Sequence, residues 1–394
     1  MNIFVKPMMY KKLFILITSV LLLIVIVFRF VVPPYVARDK NRIELLPPYS
    51  VSTEVQQFYQ SLTIADLHAD TLLWGRNILK RSGIGHIDVP RLIEANVAIQ
   101  VFSVVTKTPK GLNIKSNDDK SDNITLLALA QGWPWKSLDS LTERALYQAQ
   151  QLKMFAEKSD GQLIIIKSRE DLENYLSLRK HDRSIVAGLL SLEGAHALDG
   201  DLQNLTKLYE AGFRMIGLTH FFDNEVGGSA HGLKKNGLTE FGRKVMEQAQ
   251  NNHMLIDLSH ASPKLISDVL AITTQPVVVS HTGVKGTCDR SRNLTDAQLQ
   301  AVAATGGLIG IGFWQIAICG NTVEDIVRAA SYAKDIVGIE HIALGSDFDG
   351  AVALPFDVTG LPLLTESLLK RGFSEQDIRL FMGENVINLL LRTF

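Results

Sequence analysis

Cysteine is nearly absent from this chain: 394 residues hold two, Cys288 and Cys319. That leaves room for one internal disulfide at most and excludes a small scaffold stapled by several. An excess of either charge is missing too. The 40 Lys and Arg against 41 Asp and Glu give a formal net charge of −1, so there is no concentrated basic surface for nucleic acid. A small-molecule partner fits such a chain better. No internal repeat and no second domain stand out, and no Gly-x-Gly-x-x-Gly follows the first apolar run of the main body, which argues against a doubly wound dinucleotide fold.

One long apolar run occurs, at the N-terminus. Lys6, Lys11 and Lys12 precede sixteen apolar or small residues, Leu13 to Phe28, and Arg29 separates these from Phe30, Val31 and Val32. A membrane span needs ~20 predominantly apolar residues, and Leu13 to Val32 meets this when Arg29 reaches toward the interface. The stretch VVPPYVARDK that follows has no small-residue A-x-A pattern, which a cleaved signal would show. The expected organisation is a cytoplasmic N-terminus over 1–12, a single transmembrane signal anchor over 13–32, a linker and lead-in over 33–60, and a catalytic domain over 61–394 on the extracytoplasmic side, periplasmic or extracellular. Arg38, Lys40 and Arg42 follow the span, so charge asymmetry gives this orientation little support; a cleaved signal is the alternative. An exported chain could pair its two cysteines, or they could be unrelated buried thiols.

From Ser61 onward, short β-rich apolar runs alternate with segments of helical period. Eight runs stand out, at 63–70, 97–105, 184–194, 214–221, 254–261, 276–282, 306–314 and 341–350. Near-continuous Val, Ile and Leu suit strands buried on both faces, as in parallel sheets. Helices between them have readable starts at Thr239, at Ser262 with Pro263 in the first turn, and at Thr295. This alternation predicts an α/β fold, a (β/α)8 TIM-like barrel preceded by one N-terminal transmembrane helix. The long crossover Thr106 to Asp160 reads as an exposed loop followed by a helix from Leu141 to Lys158, with LIIIKS as an accessory strand.

Polar residues then fall at one address. The first run, TIADLHADTLLW, places Asp66, His68 and Asp70 at alternating positions among apolar neighbours. On a strand His68 and Asp70 share a face, and a buried imidazole beside a buried carboxylate needs a partner, either each other or a cation. Other runs end in Glu193, His220, His260, His281, Asp347 and Asp349. The active site of a barrel lies at the C-terminal ends of its strands, so together these residues predict a metal site. His68, His260, His281, Asp70 and Glu193 make five ligands, too many for one tetrahedral zinc; a bridging carboxylate would divide them between two ions, each with an open position. Asp349 better suits a structural role.

These residues resemble the membrane (renal-type) dipeptidases, peptidase family M19, from Asp66 nearly to Arg392. DLHAD is similar to the first-strand motif of that family, LEGAHAL to its bridging-glutamate segment and GLTHFFDN to its substrate-histidine strand; VVVSHTG, CDRSRN and ALGSDFDG follow in the same order. The resemblance implies a metal-dependent hydrolase barrel holding two Zn2+ per chain. In it His68 and Asp70 bind one ion, His260 and His281 the other, and Glu193 bridges. His220 contacts the tetrahedral intermediate, Arg292 the substrate carboxylate, and Asp347 the metal-bridging hydroxide and the substrate amine. Cys288 and Cys319 fall where the family has a disulfide. The implied function is membrane-anchored hydrolysis of dipeptides with free amino and carboxyl termini, with no nucleic-acid partner and a homodimer left open. The FDNEVGGSAHG loop after His220 and the insertion after Val105 depart from the family wording, so side-chain specificity is not carried over. Two alternatives remain: another dinuclear-metal barrel hydrolase, such as a lactonase or amidohydrolase, and a catalytically silent binding protein. The first typically has H-x-H on its first strand and a bridging lysine, where this chain has His68-Ala-Asp70 and Glu193; the second should have lost a ligand, and none is missing.

Overall fold

Apolar runs without polar alternation form strands only where both faces are covered, and the computed structural model of this chain, which describes residues 5–394, arranges them so. The strands are β1 (Ile64–Ala69), β2 (Val97–Val105), β3 (Leu163–Ile165), β4 (Val186–Glu193), β5 (Phe213–Gly217), β6 (Leu255–Asp257), β7 (Val277–Thr282), β8 (Leu308–Ile311) and β9 (Ile342–Leu344). They pair in parallel in the order β2-β1-β9-β8-β7-β6-β5-β4, and β2 pairs with β4 from Ile99↔Ala187 to Val105↔Glu193, which closes an eight-stranded barrel. The eight expected runs supply its eight strands. β3, expected as an accessory strand, lies outside the barrel and pairs with the first residues of β4, up to Ile165↔Gly188. One apolar cluster draws on every barrel strand, with Leu67, Leu189, Met215 and Leu255 among its members. It packs the barrel as a core and leaves only the strand ends for chemistry.

The expected helix starts are present with their caps. Thr239 Oγ1 accepts from Gly242 N, Ser262 Oγ from Leu265 N, and Thr295 forms a capping box with Gln298. The crossover after β2 is more structured than the expected loop. It contains helices Ile124–Gln131 and Lys136–Asp139 before the anticipated one at Leu141–Glu157. The sulfurs of Cys288 and Cys319 are bonded, their Cα atoms 5.3 Å apart.

At the N-terminus, helix Val5–Ile26 runs through a π-turn, Val27–Val31, into helix Val32–Lys40. Residues 1–4 of the expected cytoplasmic segment lie outside the described residues. The helix is long and apolar enough to cross a membrane, and none of its most apolar stretch is buried in the protein. Residues 33–60, expected as a linker, dock on the barrel domain: Pro33 and Ala37 are buried, and Tyr59 of helix Thr53–Ser61 packs in the main core.

Candidate metal centre

The C-terminal strand ends bring the polar residues together. His68 is the penultimate residue of β1 and Asp70 follows that strand directly, Glu193 closes β4, His281 lies in β7, and His220, His260 and Asp347 follow β5, β6 and β9 by three residues each. Glu193 Oε1 is the hub, with His260 Nε2 at 3.1 Å, His220 Nε2 and His281 Nε2 both at 3.5 Å and His68 Nε2 at 3.6 Å. His68 Nε2 also lies 3.4 Å from Asp70 Oδ1 and 3.9 Å from Asp347 Oδ1. Local backbone makes this convergence feasible. Gly194 leaves β4 at φ +95°, and a Cβ there would collide with the His196 ring. His260 and Asp347 themselves adopt left-handed φ values of 61° and 63°, conformations that L-residues hold only under constraint and that gather at functional sites.

The donor set fits cations. His68 Nε2, Asp70 Oδ1 and Glu193 Oε2 are buried without hydrogen-bond partners, a costly state for polar atoms unless something binds them. His260 Nε2 and His281 Nε2 face each other at 3.0 Å, where two neutral lone pairs would repel unless a proton or metal lies between them. Triads within ligating distance of one another include His68, Asp70 and Glu193. Three carboxylates, those of Asp70, Glu193 and Asp347, converge in the pocket beside the guanidinium of Arg292.

The electrostatics follow from burial. Burial, then Asp70, raises Glu193 well above the ordinary carboxylate range. Burial opposes charge on His68, yet Asp70 and Glu193 overcome it and push the imidazole up to about 10. Burial, reinforced by Arg292 at His260 and by His68 at His281, drives both imidazoles well below their usual value, leaving them neutral as metal ligands must be. Asp347 is pushed up to about 7, again chiefly by burial.

Arg292 points inward. Its Nη2 donates to the His281 carbonyl at 2.9 Å and lies 3.2 Å from His260 Nε2, with the guanidinium stacked 4.5 Å over Trp314. Arg290 nearby is exposed. Asp349 stands apart: its carboxylate accepts from Thr71 Oγ1 at 2.8 Å and from His86 N at 2.6 Å and pairs with Arg76, in keeping with its expected structural role.

A group absent from the sequence-based set completes the centre. Asp257, at the end of β6, accepts from Ser280 Oγ at 2.6 Å and from the Ser259 and Ser280 amides at 2.9 Å each. Ser280 Oγ in turn meets His281 Nδ1 at 2.9 Å and His68 Nδ1 at 3.2 Å. The sequence does carry a signal for it, an acid inside the apolar run MLIDLSHA at the same strand-end address, where His260 is the more conspicuous neighbour.

Comparisons agree with this geometry. The chain is 33% identical over 255 residues to an uncharacterized protein in the pqqA 5′ region of Klebsiella pneumoniae, covering 61% of this chain and 92% of that one. It is 34% identical over 217 residues to Dipeptidase 3 of Rattus norvegicus, covering 52% of this chain but 44% of the rat protein, less than half its length. Among solved structures, a metallopeptidase from Rhodobacter sphaeroides, liganded with a phosphinate mimic of the dipeptide L-Ala-D-Ala, superposes with a TM-score of 0.68 at 25% identity, covering 84% of this chain and 99% of that one. The membrane dipeptidase family profile matches residues 52–393. The chain belongs to the membrane dipeptidase family, peptidase family M19, and so to the metallodipeptidase hydrolases.

Proposed function

We propose that this chain is a membrane-anchored zinc dipeptidase that hydrolyses the peptide bond of dipeptides with free amino and carboxyl termini. The observation that carries this is the ring of four imidazole nitrogens around Glu193 Oε1, with unpartnered carboxylate oxygens beside it. In this reading His68 and Asp70 hold one ion, His260 and His281 the second, and Glu193 reaches both. Ions bound there supply Lewis acidity toward a scissile carbonyl and bring the pKa of water near neutrality.

The residues of the chain do the rest. His220, kept neutral mainly by burial, presents Nε2–H to the oxygen on which negative charge develops. Asp347 Oδ1 takes the proton of the attacking water and passes it to the departing nitrogen, a role that suits a carboxyl held near neutrality. Arg292 binds the substrate carboxylate, and Asp347 also receives the free amine. Because both ends of the substrate are held, one peptide bond fits between them. The apolar N-terminal helix supports anchoring, and the Cys288–Cys319 bond agrees with a catalytic domain in an oxidising compartment outside the cytoplasm. The test is purified full-length chain: zinc per chain, then turnover of a dipeptide panel with and without chelator. Turnover that survives complete metal removal refutes the reading.

A further inference from the structure

The insertion after β2 has a role the catalytic reading does not absorb. Helix Ile124–Gln131, which reads ITLLALAQ, is apolar all round. Ile124 and Ala128 bury in a small cluster with Ala37 and Trp74, while Leu126 and Leu129 face outward, Leu126 56% exposed. Such a helix normally hides every face. Four residues on, Trp135 is 79% exposed beside exposed Lys136.

The place of this helix makes its outward face intelligible. It packs against the π-turn Val27–Val31 and against helix Val32–Lys40. The guanidinium of Arg29 lies where a Cβ on Gly132 would stand, and Gly132, at φ +71°, is the left-handed residue that closes the insert helix. A cation there meets the partial negative charge of a helix C-terminus, which relieves the cost of an arginine in the apolar run. A span of ~20 residues from Leu13 ends near Val32, so the insert helix sits beside the last turns of that span. Phe30 and Tyr35 on the anchor are exposed on the same stretch.

We propose that the insert Ile124–Asp139 is a second membrane contact, in which Leu126, Leu129 and Trp135 seat the catalytic domain on the lipid interface next to the anchor helix. This rests on the reading of the N-terminal helix as a membrane span. The lipid surface is the occupant that continuity with the span favours, and Trp beside Lys is a composition of membrane interfaces. A second protein copy is disfavoured because stable interfaces use roughly 20–30 residues a side, and the insert itself offers only three exposed large apolar side chains, Leu126, Leu129 and Trp135. The seating fixes the domain at two points, so it neither swings nor spins on its helix.

The test uses the full chain reconstituted in phosphatidylcholine vesicles. Flotation after an alkaline wash reports insertion of the anchor independently of the insert. Vesicles whose lipids carry bromine near the carbonyl end of one acyl chain then report contact through tryptophan quenching. Trp74, Trp133 and Trp314 are buried, so quenching in the wild type should be strong and most of it should vanish in Trp135→Phe, with zinc content and turnover in detergent unchanged. Trp135 is so exposed that this substitution leaves the fold intact, and Leu126→Trp should restore the quenching. A chain that floats but shows equal, weak quenching with and without Trp135 overturns the seating while leaving the anchor standing. Cross-linking at Lys136 that captures a dimer in place of quenching overturns the seating in the same way. Failure to float overturns the anchor and the seating with it.

Discussion

Ser280 Oγ gives its only proton to Asp257 Oδ2, 2.6 Å away, and therefore can only accept from His68 Nδ1 and His281 Nδ1. One serine thus faces the Nδ1 of two neighbouring imidazoles, their ring centroids 3.7 Å apart, and on each uncharged ring it favours the Nδ1–H tautomer, which leaves the Nε2 lone pair for the proposed centre. Asp257→Asn can turn an amide proton toward Ser280, freeing the serine proton for a ring nitrogen and favouring the wrong tautomer. Loss of such an outer partner typically weakens metal binding, so zinc affinity, measured by chelator competition, should fall by about 10–100-fold while the fold, read by circular dichroism, stays. Unchanged affinity would remove Asp257 from any part in the centre.

Asp347→Asn keeps the shape of the side chain but cannot carry a proton. Loss of a general acid or base costs roughly 10²–10⁴-fold, so kcat should fall by about that factor with zinc content retained. A variant with near-normal kcat and full zinc would make Asp347 structural.

Arg292→Lys preserves charge but loses the flat two-pronged donor that grips a carboxylate, along with its stacking on Trp314. kcat/KM for dipeptides should drop sharply, and the matching change at exposed Arg290 should matter far less. Amidating the substrate C-terminus should penalise the wild type heavily and Arg292→Lys little. Equal penalties in the two proteins mean the arginine does not read that carboxylate.

Acid should loosen the fold through buried neutral imidazoles outside the centre. Burial, then the charge of Lys107, pulls His196 down to about 3, and burial also lowers His86 against the pull of Asp349. Their unfolded values lie near 6.5, so below that pH the unfolded chain binds more protons than the folded one. Stability is therefore full above about pH 6.5 and declines as pH falls toward the folded values. His196 alone should cost ~2 kcal/mol between pH 6.5 and 5. Urea unfolding of metal-free protein at those two pH values checks this, with His196→Gln, which can still bond Thr106 Oγ1, expected to show a shallower decline. An identical slope in the variant would contradict it.

The strands and the histidines at their ends are legible in the sequence because burial on both faces leaves a pure apolar signature, against which any ionisable residue stands out. Asp257 is as visible as His68 by that criterion. Its partnership with Ser280 is not, since nothing in the spacing of a serine says which carboxylate will take its proton. The left-handed conformations of His260 and Asp347 are equally silent, because only glycine advertises such a backbone. The insert is hidden for another reason. The polar run before it, KGLNIKSNDDKSDN, looks like plain loop, and the outward leucines of ITLLALAQ make sense only once the anchor helix lies alongside.

The bond between Cys288 and Cys319 joins the loop that carries Arg292 to the segment just after Trp314, the ring on which that guanidinium rests. The strand ends that gather around Glu193 have no such tie. On the proposed reading, metal would complete one half of the site and the disulfide the other. On that same reading, a molecule matured without the disulfide should bind its full complement of metal and yet discriminate poorly between a dipeptide and its amide.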